Sequence, residues 1–508
     1  MAEKINKAGE AISRKFHKQM GYTVMGFILY MIAIFGTICP KGYVKFDLYK
    51  VYFMYAGVGI LLVVTLFMSL QNLDGGKSAK KKFSLIDILF ASTIVCWLIG
   101  CALSVDKTSA FMGDDFRRTG YLYMACMMVG AWIVFRYFVY HTVLGMVFSV
   151  WCILTNLLSI LQYYGIDPFN WQYYRQALHL KSVFGNIDQN AAMCAVQLAV
   201  LFTIIMLEKN KVTMCLALVG VAFAVCGGFT DHSAGFFMAA FVVLTAIGIG
   251  VRNSELFRRL WYAFVAMYAG FLYQMMNYTH TRDYIYYNEQ LTIFLFTHNW
   301  VKIGLAILLI VMGAMAFALK NVFDKYGKRI SIAWFIFYGL IVLIGFAFII
   351  YVSTHAAKYP EGTTLHSFVV TDARFGSGRG EIWQEGFKAF KEGSFTEKLF
   401  GIGFCNISRL KLCDATFAPN GERLADLHNA YLDMLLTCGI LGVGTYFATL
   451  IALLVSAVKR LKEDGKAMLP LLVVGAYLGV SLINFNLIIT TPMAWLALAI
   501  GHNKFKAE

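Results

Sequence analysis

Charge and proline are what this sequence lacks most. Only 14% of its 508 residues are charged, against about 25% in a soluble globular protein, and it holds just 6 prolines. With 59% hydrophobic residues, 43 phenylalanines and a mean hydropathy of +0.64, this excludes a water-soluble multidomain enzyme, a disordered chain and a coiled coil. Acidic residues are missing from the central turns of most apolar runs; Asp87 and Asp433 lie near run ends. Ion-coupled carriers place carboxylates at mid-depth, so their scarcity argues against a proton- or sodium-driven carrier. No Gly-Lys-Ser/Thr follows the glycines at 376, 378 and 380, no Gly-x-Ser-x-Gly occurs, and no histidines are spaced as a local ligand pair. A P-loop, a serine nucleophile elbow and a metal centre therefore lack their motifs. Internal repeats and low-complexity segments are absent as well.

What is present is a succession of apolar runs. They fall near 22–38, 51–70, 85–104, 119–135, 143–161, 191–207, 212–229, 235–250, 259–276, 300–319, 330–353, 429–458, 468–485 and 489–501. Backbone polar groups in lipid must be satisfied within the segment, so the expected fold is all-α: a polytopic membrane bundle of about fourteen transmembrane helices. The first run follows a basic, polar stretch and no small-residue cleavage site comes after it, so it reads as a retained span. The net charge of +15 does not imply nucleic acid. Clusters such as Lys77 to Lys82 and Lys320 to Arg329 sit between apolar runs, where basic residues report topology. Placing Met1 inside puts most Lys and Arg on the cytoplasmic side and both ends of the sequence with them. Residues 1–353 then form an N-terminal helical region, 354–427 a long outer loop and 428–508 a C-terminal helical region.

The 11 cysteines give no framework, because most lie in apolar runs, where cysteine is a small hydrophobe. Cys405 and Cys413, in the outer loop, are the pair able to bond in an oxidising compartment. The same loop carries the chemistry. In Asp372 to Phe404, Gly376, Gly378 and Gly380 permit a tight turn around Arg379. An amphipathic helix follows, with Trp383, Phe387 and Phe390 on the face toward the headgroups. Arg379 at its N-terminus suits a phosphate. In Asp426 to Asp433, Asp426 is the expected N-cap and His428 falls in the first helical turn. The helix dipole there favours a neutral imidazole, able to take a proton from a hydroxyl. Taken alone, Arg379 also reads as a solvated loop residue and His428 as a capping or interfacial one.

Read in order, Arg379-Gly380-Glu381-Ile382-Trp383, Gly401-Ile402-Gly403, His428-Asn429-Ala430-Tyr431-Leu432 and Gly439-Ile440-Leu441-Gly442 resemble the O-antigen ligase/polymerase superfamily. Phe184 to Asn190 is similar to that family's Gly-Asn segment, and Gly113 to Gly120 to its arginine-containing first outer loop. The resemblance implies a metal-independent, cofactor-free, inverting glycosyltransferase of a bacterial plasma membrane, with its site on the extracytoplasmic face. It would move a glycan from an undecaprenyl-pyrophosphate donor to a hydroxyl on a glycan or lipid acceptor. Carried over, Arg379 clamps the pyrophosphate and His428 is the general base. Asn186, Asn190, Trp383 and Asn429 are then substrate contacts. The family's second arginine has no counterpart in Thr230-Asp231-His232-Ser233-Ala234-Gly235, where Ala234 takes its place. Arg117, Arg118, Arg175, Lys302 and His232 are the candidates to replace it, Arg117 first. The alternative is a transporter or flippase of a lipid-linked glycan without covalent chemistry, which should tolerate loss of His428.

Overall fold

The computed structural model describes residues 2–43, 45–73, 83–114, 118–171, 182–228, 233–278, 290–355, 358, 375–410, 426–461, 467–484 and 486–500. Among them there is no strand, and the described residues of each apolar run named above are mostly helical. In chain order the first helices are α1 (Ala2–Tyr30), α2 (Phe46–Leu73), α3 (Leu85–Leu103), α4 (Lys107–Met112), α5 (Tyr121–Tyr137) and α6 (Thr142–Tyr163). Next come α7 (Ile187–Leu207), α8 (Lys211–Gly228), α9 (Ser233–Gly250), α10 (Ser254–Tyr278), α11 (Gln290–Thr297), α12 (Asn299–Ala318) and α13 (Lys320–Thr354). The last five are α14 (Phe375–Glu392), α15 (Phe395–Phe400), α16 (Ala430–Arg460), α17 (Met468–Ile483) and α18 (Thr490–Ile500). Among the described residues, 9 helices are long and apolar enough to cross a membrane; Tyr121–Tyr137, Gly235–Gly250, Met468–Leu482 and Thr490–Ile500 are apolar but shorter. The chain is a membrane protein built as an all-α bundle.

Helix α7 is the axis. Nearly all of it is buried, and α6, α8, α9, α10, α17 and α18 pack around it. Its small and unbranched residues, such as Ala191, Ala192, Ala195 and Ala199, let neighbours approach closely, the usual route to helix association in lipid. At the other extreme α13 is almost entirely exposed. Its 35 residues span about 52 Å at 1.5 Å per residue, well beyond the ~30 Å hydrocarbon core.

Polar groups inside the bundle are used as ties. Lys50 is fully buried and its ammonium donates to Phe35 O at 2.7 Å and Ile38 O at 3.0 Å, closing the carbonyl end of the α1 region. Asp87 forms a capping box with Ser84 at the start of α3. The same carboxylate accepts from Trp132 at 2.8 Å and pairs with Arg136 at 3.3 Å. Both belong to α5, so this acidic residue fastens two helices together.

One apolar run departs from expectation. The run at 429–458 reads as a single span, but its helix is broken at Gly439, whose φ is +66°. Residues 430–438 form a short, buried half-helix; the remainder, roughly 30 Å long at 1.5 Å per residue, is the spanning part. A half-helix that stops inside protein leaves terminal carbonyls without partners. Here Ile402 N–H donates to Leu436 O at 2.9 Å and Gly403 N–H to Thr437 O at 3.0 Å. The strand of backbone that makes these bonds begins at Gly401, with φ of +80°. A Cβ on Gly401 would collide with the Thr437–Cys438 backbone, and one on Gly439 with that of Leu399–Phe400.

Gly439→Ala should therefore cost the strain of a left-handed residue, about 1–3 kcal/mol, plus the collision. Gly444→Ala, on the same helix where nothing lies within 4 Å, is the control and should be neutral or gain up to about 1 kcal/mol. Thermal melting in detergent, followed by tryptophan fluorescence, separates the two; equal midpoints would remove the packing role assigned to Gly439.

Candidate functional site

The turn that precedes the half-helix is the best-anchored loop in this part of the chain. Asn429, not Asp426, is the N-cap of α16: its side-chain oxygen accepts from Tyr431 N and Leu432 N, each at 3.1 Å. His428 consequently stands one residue outside the helix and not in its first turn, with φ of +49°. That conformation is uncommon for a residue with a Cβ. Asp426 bends back over the turn, its Oδ1 accepting His428 N–H at 2.9 Å. The same oxygen lies 2.8 Å from His428 Nδ1, off the line of a well-formed hydrogen bond. Asp433, the second acid near a run end, accepts Leu427 N–H at 2.7 Å.

Two distant elements hold this turn from either side. Trp383 Nε1 donates to Leu427 O at 3.1 Å, which docks α14 on it. Ile382, Leu427, Leu432, Leu436 and Ile407 form a small apolar cluster between them, with Trp383 and Phe390 packed at its margin. The sequence pattern put Trp383, Phe387 and Phe390 together on a face toward the headgroups. The structure corrects this: Trp383 and Phe390 pack on protein and Phe387 is exposed. The expected tight turn around Arg379 is corrected too, because α14 already begins at Phe375 and Arg379 lies in its second turn. Arg379 is one helical turn from Trp383, on the same side of α14, and is half-buried. On the other side, Ala430 N–H donates to Asn484 O at 2.8 Å, and Asn484 Nδ2 donates to Asp188 Oδ2 at 3.1 Å. Asp188 opens α7, so the His428 turn is tied to the axis of the bundle.

The Gly401–Gly403 segment continues into Asn406, which is buried and donates to Ser104 Oγ at 2.5 Å and Ile402 O at 3.0 Å. Arg409 pairs with Asp106. The Ser109 N–H and hydroxyl, and then Arg409, hold the Asp106 carboxyl below its ordinary value. These bonds join the outer-loop segment to Ser104 and to Asp106, the N-cap of α4; beyond that helix Arg118 N–H donates to Asp114 O at 3.2 Å.

The remaining sequence candidates divide. Asn186 caps α7 by accepting Asp188 N–H at 2.7 Å. Asn190 is buried between helices and donates to Gly227 O at 3.0 Å and Ser159 Oγ at 3.3 Å. That placement makes Asn190 a tie between helices. Arg117, Arg175, His232 and Cys413 lie outside the described residues. The structure thus joins Trp383, His428 and Asn429 in one assembly, with Arg379 on the helix that covers it. Asp426, Asp188 and Asn484 belong to it as well. Asp426 was legible only as a cap, and the Asp188–Asn484 bond joins residues 296 apart, which no local pattern discloses.

No group of three or more His, Cys, Asp or Glu is placed to hold a metal ion among the described residues. A cavity of about 530 Å³ opens at the far end of α7, lined by residues including Ile28, Phe148, Ile204, Leu207 and Glu208. It is a whole helix length from Asp188 and shares no residue with the His428 assembly. Compared with family models and with curated proteins, the chain matches none.

Trp383→Phe keeps the ring and removes the donor, a loss of about 1 kcal/mol felt at the turn and not across the bundle. Hydrogen exchange of the 427–430 amides should quicken while the melting midpoint barely moves. Unchanged exchange there would mean that Trp383 does not hold the turn.

Proposed function

We propose that this protein is a membrane glycosyltransferase of the O-antigen ligase/polymerase type, transferring a glycan from a lipid pyrophosphate to an acceptor hydroxyl. The observation that carries the reading is the Trp383–Leu427 hydrogen bond. It seats the arginine-bearing helix directly on the histidine turn, which is what a cation for the leaving group and a base for the incoming hydroxyl require. The motif resemblance supplies the chemistry, and the absence of P-loop and zinc-site motifs in the sequence agrees with it. On this reading the bundle has about fourteen spans in a bacterial plasma membrane, both ends are cytoplasmic, and the His428 assembly faces the outside.

The mechanism is electrostatic and needs no cofactor. The Arg379 guanidinium balances charge that grows on the pyrophosphate as its bond to the anomeric carbon breaks, where fixed cations contribute most. His428 takes the acceptor proton from the opposite face of the sugar, so the anomeric configuration inverts. On this reading the second cation is Arg117, which neighbours Arg118 in the sequence. Trp383 and Asn429 act by shaping the turn.

The test uses purified protein with a fluorescent undecaprenyl-pyrophosphate oligosaccharide and a gel readout, with and without added glycan acceptors. Wild type is expected to lengthen or transfer the glycan, and His428→Ala to lose at least about a hundredfold in turnover while still binding donor. Arg379→Ala should weaken donor binding roughly 10- to 100-fold, the worth of a charged hydrogen bond of about 1.5–3 kcal/mol. Equal turnover by His428→Ala and wild type would refute the base assignment; equal donor affinity in Arg379→Ala would refute the clamp.

A further inference from the structure

The exposures of Asp426 and His428 are unequal in a way that assigns them different tasks. The Asp426 side chain is 6% exposed and that of His428 34%. Within the imidazole, Nδ1 is shielded from solvent, so the exposure of the side chain comes from its other atoms. The shielded nitrogen is the one beside the carboxylate, 2.8 Å from Asp426 Oδ1. Asp433 directs its Oδ1 at Leu427 N–H. The left-handed backbone at His428 and the Asp426 bond to its N–H bring ring and carboxylate together. Trp383, Asn429 and Asn484 keep the turn from relaxing. Catalytic hydrogen bonds in unliganded sites are often poorly aligned and tighten when substrate arrives.

We propose that Asp426 is the positioning residue for His428, fixing the imidazole as the Nδ1–H tautomer so that Nε2 is the basic nitrogen presented to the acceptor hydroxyl. The inference rests on the transferase reading for its chemistry, but its geometry stands on the turn alone. In the step, Nε2 takes the hydroxyl proton while the acceptor oxygen bonds to the anomeric carbon. The bond from that carbon to the pyrophosphate oxygen breaks, and the leaving pyrophosphate keeps the electron pair. The imidazolium so formed faces an ionised Asp426 carboxylate, which is not itself protonated, and its Nε2 proton is released to water. Asp426 touches no substrate. It acts by choosing which nitrogen holds the proton before reaction and by stabilising the charge afterwards, as the acid of a hydrolase triad does.

Asp426→Asn separates this role from a structural one. An asparagine oxygen still accepts His428 N–H, so the turn persists. Because that same oxygen faces Nδ1, the Nδ1–H tautomer persists too and only the charge is lost, so turnover should fall with the turn intact. Asp426→Ala removes the acceptor altogether and frees the proton to move to Nε2. The experiment is nitrogen NMR on protein labelled with ¹⁵N-histidine, with His428 assigned by its disappearance in His428→Ala, alongside the gel assay. Wild type and Asp426→Asn should show the Nδ1–H tautomer at His428 and Asp426→Ala the Nε2–H form. In that variant turnover should fall about a hundredfold with donor KM unchanged, and Asp426→Glu should regain part of it. An Nε2–H tautomer in the wild type overturns the assignment without recourse to any variant. So does an Asp426→Ala protein that keeps both its tautomer and its turnover. If the tautomer switches as expected but wild type processes no lipid-pyrophosphate glycan, the pairing of Asp426 with His428 is supported and the transferase reading falls.

Discussion

A helix that ends within protein must hand its last carbonyls to other donors, since each unsatisfied backbone group costs about 1–3 kcal/mol. The break at Gly439 imposes that requirement on Leu436 and Thr437, and Ile402 and Gly403 meet it with their N–H groups. Much of the surrounding architecture follows. The donors come from the long segment between α13 and α16, so α15 must end beside the break, and it ends at a glycine with φ of +80°. The half-helix then projects its N-terminus away from the spanning part of α16, and the residues before it form a compact turn. Irregular backbone of this kind in a membrane protein is tolerated where protein or a water-filled cavity surrounds it, and such interruptions often mark binding sites.

The turn illustrates how buried polar residues can serve geometry before chemistry. Asn429, Asp433, Trp383 and Asn484 each bond to its backbone, and their combined effect is to fix His428 in a conformation it would not adopt alone. Strained residues persist where surrounding structure over-determines them. The neutral network deeper in the bundle has a comparable task. Gln197 binds both Asn156 and Thr155, and Ser182 bonds to Thr155 O and receives support from Gln162. It fastens the segment before α7, and with it Asp188, to α6. Interhelical hydrogen bonds of this type are worth about 0.6 kcal/mol each and up to about 2, so a connected set outweighs any single member.

How much of this was readable without coordinates depends on what fixes each feature. Membrane spans are set by local composition, and the described residues of each apolar run are mostly helical. Ser84 with Asp87 is likewise a local capping signal. The break at Gly439 was not legible, because Gly-Ile-Leu-Gly fits a continuous apolar helix and the reason for stopping lies at Gly401. Asp426 and Asn429 are both acceptable caps by residue type; tertiary bonds to Leu427 and Ala430 decide between them. Trp383 and Phe390 of α14 pack on protein and Phe387 does not; the sequence reading assigned all three to lipid headgroups, since nothing local says that Leu427 and Leu432 lie against the first two. For the same reason His428 was singled out by sequence and Asp188 and Asn484, on which its position depends, were not.

The central claim is that the helix bearing Arg379 and the turn bearing His428 form one site for a pyrophosphate-linked sugar. An experimental structure of the purified protein with a lipid-pyrophosphate oligosaccharide tests it most directly. The account predicts phosphate density against Arg379, with the first sugar extending toward the Nε2 edge of His428. Phosphate bound at the far end of α7, beside Tyr140, Glu208 and Lys209, with the His428 turn unoccupied, would contradict it.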